Sequence, residues 1–333
     1  MKAGNIILSI IVSVTLIGCS PTIKRAPLSP DSYRFTVNFR QNQPLKYTFS
    51  SRRNIVIDWG RIPGRDKVGK ETINKISETL NLTVTYTPVE VNPFGLTKIT
   101  ASCGEAKVTR NGVSMRDSVG VADAAEGFAG KSWTFTVGPA GKIEDRSNML
   151  DVIRQVGQGA FRGDRSRGLI KAPDMMYDFI ALQWFLWDSI SSIPKPTKGV
   201  KAGEIWKSKL FVPAPMILFA ARNVNYQLHE VRGDPNEQIA VIDSTYSLLY
   251  PSPHDWPVPY TEIFQMSGQF GFLRDYKVLD LQGQGQEIFD MNAGRTNSYT
   301  QKYTMNILSS VPLGLGVNPK ITIEQTLSMN LVP

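Results

Sequence analysis

Leu80-Asn81-Leu82-Thr83-Val84-Thr85-Tyr86 decides the fold class. Apolar and polar residues alternate strictly through it. A period of two is that of an extended strand with one buried face. The pattern recurs outward in both directions. Tyr33, Phe35, Val37 and Phe39 alternate with Arg34, Thr36, Asn38 and Arg40; Leu45, Tyr47 and Phe49 follow the same rule, as do Trp133, Phe135 and Val137. In the C-terminal half it returns at Val224, Tyr226 and Leu228, and at Tyr246, Leu248 and Tyr250. It appears again at Tyr299, Tyr303, Met305 and Ile307, and last at Ile321, Ile323, Leu327, Met329 and Leu331. Two polar residues interrupt these apolar faces, Gln301 and Gln325. Alternation with one greasy face predicts half-buried antiparallel strands.

The middle of the chain has a different period. Leu150, Ile153, Val156 and Phe161 lie at helical spacing behind Ser147, which reads as an N-cap. Residues 174–193 read as one helix of about five turns, at 3.6 residues each. Its apolar residues nearly surround it, which predicts burial. Core packing is the default for such side chains. The functional alternative is that Met175, Met176, Phe179, Trp184 and Trp187, with Phe185 beside them, line a lipid-sized cavity. Pro194 and Pro196 end the segment.

The expected architecture is therefore mainly β (α+β). Two similar curved, half-barrel-like antiparallel units, residues 32–146 and 197–333, enclose a central helical segment, residues 147–196. Each unit ends in a Gly-marked hairpin, at Gly138 and Gly141 in the first and at Gly294 in the second. Hydrophobic content of 41% and charged content of 20% suit a folded chain with a real core.

The N-terminus carries a separate signal. Met1 and Lys2 precede an apolar run from Ile6 to Ile17, followed by Gly18 and Cys19. Leu16-Ile17-Gly18-Cys19 resembles the bacterial lipobox. The resemblance implies removal of residues 1–18 as a signal peptide, with diacylglycerol on the Cys19 thiol and acylation of its amino group. Two or more acyl chains make such an anchor stable. Residues 19–31, with Pro21, Pro27 and Pro30, then form a tether. Ser20 in place of Asp implies the outer membrane. The body resembles an uncharacterised family of bacterial envelope lipoproteins. The residues carrying this are Val137-Gly138-Pro139-Ala140-Gly141-Lys142-Ile143 and Gly199-Val200-Lys201-Ala202-Gly203-Glu204-Ile205-Trp206. It is also similar to lipoprotein-carrier folds, in which helices lid a half-open barrel. Neither resemblance brings an activity.

The formal net charge is +8. Basic residues gather in what read as loops: Arg52 and Arg53; Arg61, Arg65, Lys67 and Lys70; Arg162, Arg165, Arg167 and Lys171; and Lys195, Lys198 and Lys201. They read as a solvated envelope-facing surface, and export argues against nucleic acid as a partner. With Cys19 acylated, Cys103 has no disulfide partner and shares parity with Ile99 and Ala101, so it reads as core.

No catalytic, metal or cofactor motif stands out. His229 lies on the polar parity of its strand, and His254 sits in a Pro-rich loop. Ser192-Ile193-Pro194-Lys195 matches Ser-x-x-Lys only formally, because Pro194 falls between the two. Glu144 and Asp145 point to opposite strand faces, nothing selects Asp243, Asp280 or Asp290, and Asp234-Pro235-Asn236-Glu237 reads as a turn. The leading expectation is a non-enzymatic lipid-anchored envelope protein that binds a lipid, another apolar ligand or an envelope protein. The alternative is a hydrolase of an envelope polymer whose carboxylates are brought together by folding.

Overall fold

The computed structural model describes residues 31–60, 72–112, 122–160, 169–170, 175–210, 212–214, 217–249, 265–266, 273–311 and 318–333. His254, Cys19 and the basic residues of 61–71 and 161–171 fall outside that set.

The alternating segments form the strands they predict. The N-terminal half supplies β1 (Leu45–Asp58), β2 (Ile73–Val91), β3 (Thr97–Gly112), β4 (Ser132–Val137) and β5 (Ile143–Asp145). Three helices follow: α1 (Ser147–Gly157), α2 (Met176–Trp184) and α3 (Asp188–Ser191). The C-terminal half supplies β6 (Ile205–Lys207), β7 (Val212–Ala214), β8 (Ile217–Arg232), β9 (Ile239–Leu249), β10 (Arg274–Asp290), β11 (Arg295–Ser310) and β12 (Lys320–Leu331). The protein is mainly β and antiparallel, with the helical segment at its centre.

The two halves do not remain separate sheets. β12 pairs with β11 on one side and with β1 on the other, from Lys320 opposite Asp58 to Leu331 opposite Tyr47. All twelve strands thus lie in one sheet, in the order β7-β8-β9-β10-β11-β12-β1-β2-β3-β4-β5, with β6 also on β8. The last strand of the chain is central because each half alone leaves an unpaired edge, and two edges satisfy each other's backbone groups.

The first alternating stretch departs from the expected strand. Only Ser32 and Tyr33 pair in a ladder, with Lys201 and Val200. Beyond them, Phe35, Val37 and Phe39 are buried without belonging to a strand. Instead the backbone ties to two hairpin turns. Val37 N donates to Pro139 O at 3.1 Å, and Asn38 N donates to Gly294 O at 2.9 Å. These are the Gly-marked turns of the two halves. A Cβ on Gly294, whose φ is +66°, would meet Asn38 Cβ at 2.6 Å. On Gly141, at φ +80°, it would meet Val37 Cγ2 at 2.8 Å and Trp187 Cβ at 3.0 Å. Only glycine permits both the conformation and the approach.

The central segment also departs from the single helix expected over 174–193. α2 ends at Trp184, and Trp187 adopts a left-handed φ of +60° before α3 begins. That turn sets the Trp187 ring among Phe39, Tyr86 and Phe135. It also re-aims Asp188 toward β8. Apolar residues on every side of a helix cannot report such a break, because no face is lost by turning. All nine residues of α2 are buried. At α1 the cap position belongs to Arg146 rather than Ser147. The Asp145 carboxylate accepts from Ser147 N at 3.0 Å and from its Oγ at 2.9 Å.

Candidate functional site

An inward-facing charge on an apolar strand is the feature from which the site builds. Arg53 shares its β1 face with Phe49, Ile55 and Ile57, and is fully buried with them. Directly opposite across the ladders stand Glu78 on β2 and Gln325 on β12. Arg110 on β3 lies opposite Glu78, and Tyr303 on β11 opposite Gln325. Gly283 on β10 and Tyr246 on β9 complete the row. One polar belt therefore crosses the buried face of the sheet at a single level over seven neighbouring strands.

Asp178 of α2 enters the middle of this belt. Its carboxylate accepts from Arg53 Nη1 and from Ser51 Oγ, each at 2.7 Å, and from the Gln325 amide. Gln325 Oε1 accepts from Tyr303 OH at 2.6 Å. Glu78 bridges Arg53 and Arg110, and Arg110 reaches Asp123 in turn. Burial alone would raise the Glu78 carboxyl, yet Arg53 and Arg110 outweigh it and hold it below its usual range. Burial pushes Asp178 up, against the pull of Arg53 and the Ser51 hydroxyl. A helix that was apolar by composition is thus fixed in register by its one buried acid.

Two further carboxylates are buried with no salt bridge among the described residues. Asp188 accepts from Tyr226 OH at 2.6 Å, Ser208 Oγ at 2.7 Å and Ser192 Oγ at 2.8 Å. Glu287 accepts from Ser189 Oγ and Thr296 Oγ1, both at 2.6 Å. Burial raises both carboxyls, opposed by these hydroxyls. Trp206, from the second motif, donates Nε1 to Ser189 O at 2.8 Å and so braces the same corner. Ser192 belongs here as a structural donor, and Lys195 is exposed.

Arg222 closes the belt near Tyr246. It is fully buried, and its guanidinium carbon sits 4.6 Å from the Phe185 ring centroid and 4.8 Å from that of Tyr303. Tyr246 flanks it at 6.0 Å. Among the described residues its only hydrogen bond is a long one, Nη1 to Gln301 Oε1 at 3.4 Å. Nε and Nη2 have no partner. Among the described residues, no carboxylate lies within ion-pair reach of it. On β10, Gly283 and Gly285 let their neighbours approach closely: a Cβ on Gly283 would lie 2.5 Å from Tyr303 Cβ, and one on Gly285 would lie 2.6 Å from Ser244 Oγ.

Beyond the belt, on the side away from Tyr86, the inner face is mainly aliphatic as far as the buried Ser309. Leu281, Met305, Ile307, Ile321, Ile323, Ile55 and Ile57 form a wall across four neighbouring strands, with exposures of 0–2%. On the other side the helices fill the sheet. Gln183 Oε1 accepts from Tyr86 OH at 2.5 Å, and Leu182 O accepts from Tyr299 OH at 3.4 Å.

The five helix residues expected to line a cavity meet protein. Phe179 stacks on Phe128 at 3.6 Å and meets Trp133 edge-on. Trp187 packs in its aromatic cluster, Trp184 lies under Arg146, and Met175 and Met176 are fully buried. Two grooves open on the sheet, of about 730 and 450 Å³, and none of the five lines either. The larger includes Arg52, Lys302 and Glu324; the smaller includes Thr48, Asn81 and Ser328.

Other sequence candidates scatter. Cys103 is buried, which pushes its thiol up to about 12 and makes it inert. His229 is exposed, with Nδ1 3.0 Å from Asp243 Oδ2. Glu144 pairs with Lys142 at the surface. Asp234 caps its own turn, accepting from Asn236 N at 2.8 Å, and Asp290 accepts from Ala293 N at 2.8 Å. Arg52 and Arg53 are not a loop cluster: they are successive β1 residues, so one faces out and the other in. Sequence reasoning passed over Arg53, Glu78, Asp178, Arg222 and Glu287. The usable signal was a charge at inward parity, the same signal that Gln301 and Gln325 gave.

No protein-family model matches the chain, and no curated protein does. Among solved structures it is similar to a lipovitellin chain from a structure of lipid–protein interactions in lipovitellin. The TM-score is 0.42 and the identity 8%, over 89% of this chain and 26% of that one. A likeness this weak carries no conclusion about ligand.

Proposed function

We propose that the protein is a lipid-anchored component of a bacterial cell envelope, held at the outer membrane, and that it binds a lipid rather than catalysing a reaction. The observation carrying the binding claim is the apolar wall of Leu281, Met305, Ile307, Ile321, Ile323, Ile55 and Ile57 beyond the polar belt. These side chains are 0–2% exposed and line neither groove, so an acyl chain held by them lies enclosed against an aliphatic surface bordered by a polar row. The hydrolase reading draws less support. Asp178, Asp188 and Glu287 have raised carboxyls, but each is buried and already bonded to the protein's own donors.

The binding claim is tested by adding acyl chains brominated near their middle to the full chain in lipid-free detergent. Saturable quenching of tryptophan fluorescence is expected, and fluorescence unchanged at saturating lipid would refute binding. Anchoring rests on Leu16-Ile17-Gly18-Cys19. Replacing Cys19→Ser is expected to abolish incorporation of labelled palmitate, and undiminished labelling would show that Cys19 is not the acylated residue.

A further inference from the structure

A buried guanidinium with two unpartnered nitrogens is costly, because desolvating a cation without a counter-charge is repaid only by an anion. Arg222 is in that position. Nε and Nη2 have no partner, and the neighbours within stacking distance are the rings of Phe185, Tyr303 and Tyr246. Aromatic faces hold a guanidinium flat and leave its edge free, and that edge suits an oxyanion.

Arg222 stands opposite Leu248 on β9. The inner-face residues continuing across the sheet on this side of the belt are Leu281, Met305, Ile323 and Ile55. Met305 is in register with both Leu281 and Ile323, and Ile323 with Ile55. The Arg222 backbone thus stands at the level of an aliphatic row carried by β10 to β1, three strand spacings or roughly 14 Å wide, while its guanidinium turns across Tyr303 toward Gln301 and Phe185.

We propose that Arg222 receives the acidic head of the ligand, a carboxylate or phosphate oxyanion, while the acyl chain lies along that row. The proposal rests on the lipid-binding reading above and assigns the head-group chemistry. A neutral lipid would leave Arg222 as uncompensated as it is without one.

Native mass spectrometry of the full chain, released from detergent and titrated with palmitate, hexadecanol or inorganic phosphate, tests it. Palmitate is expected to bind once, at least tenfold more tightly than hexadecanol. Arg222→Met is expected to remove that preference while leaving hexadecanol unchanged, and Arg222→Lys to retain part of it. Arg222→Met is also expected to raise the melting temperature without ligand by about 2 °C or more, since it removes an uncompensated charge; a structural arginine would lower it. Equal affinity for palmitate and hexadecanol, or palmitate binding indifferent to Arg222→Met, overturns the head-group assignment and leaves lipid binding standing. Arg222-dependent binding of phosphate alone supports the oxyanion site and refutes a lipid as its source. Binding of none of the three overturns the lipid reading and this inference with it.

Discussion

Deleting residues 327–333 is expected to abolish folding. The seven residues look peripheral in the sequence, yet they end the strand that joins the two halves of the sheet. Leu327 and Met329 are fully buried. Leu327 pairs with Gln301 on β11 and with Ser51 on β1, and Met329 with Tyr299 and Phe49. Losing one buried Leu or Met side chain costs about 2–5 kcal/mol. Losing both, with the ladder bonds on each side, matches the whole stability of an ordinary domain, about 5–15 kcal/mol. Deleting only Val332 and Pro333 removes a single terminal bond, from Val332 N to Lys46 O, and is expected to cost little. Solubility, near-UV circular dichroism and a denaturant midpoint read both variants. A seven-residue truncation that kept the wild-type midpoint would mean that the halves fold without β12 between them.

Asp178→Ala is expected to destabilise by about 3–5 kcal/mol, the usual result of removing one partner from a buried ion pair. The loss strips an acceptor from Arg53, Ser51 and Gln325 together. Asp178→Asn is expected to fare little better, because in either orientation its amide nitrogen, itself a donor, must face one of the three donors. The double variant Arg53→Met with Asp178→Leu is expected to recover much of the loss. Glu78 then keeps Arg110 at 2.8 Å, and no cation is left stranded. Urea denaturation of the two single variants and the double gives the coupling directly. A single variant within about 0.5 kcal/mol of wild type would remove the belt from the account of stability.

Much of this fold was legible because burial writes itself into alternation. Leu80 to Tyr86 and Tyr299 to Ile307 became strands with the faces their parity assigned. Pairing was less legible. Nothing local in Ile321–Leu331 says that its second partner is β1, because the backbone bonds that join them are the same for any sequence. The break at Trp187 left no mark either, since a left-handed turn at a bulky residue is held by its packing and not by a glycine. The belt was half visible: Gln301 and Gln325 stood out on apolar faces, while Arg53 was absorbed into a presumed basic loop beside Arg52. Arg222 was hidden differently. Its parity with Val224 and Tyr226 is plain in the sequence, but the lack of a counter-charge is a property of the folded interior.

Native mass spectrometry of the full chain purified from its own envelope reads lipid binding without a mutation. Lipid binding predicts a non-covalent adduct of acyl-lipid mass, beyond any covalent modification, that dissociates on activation or extraction. Preparations that repeatedly carry no such adduct, and acquire none when lipid is offered, would contradict it.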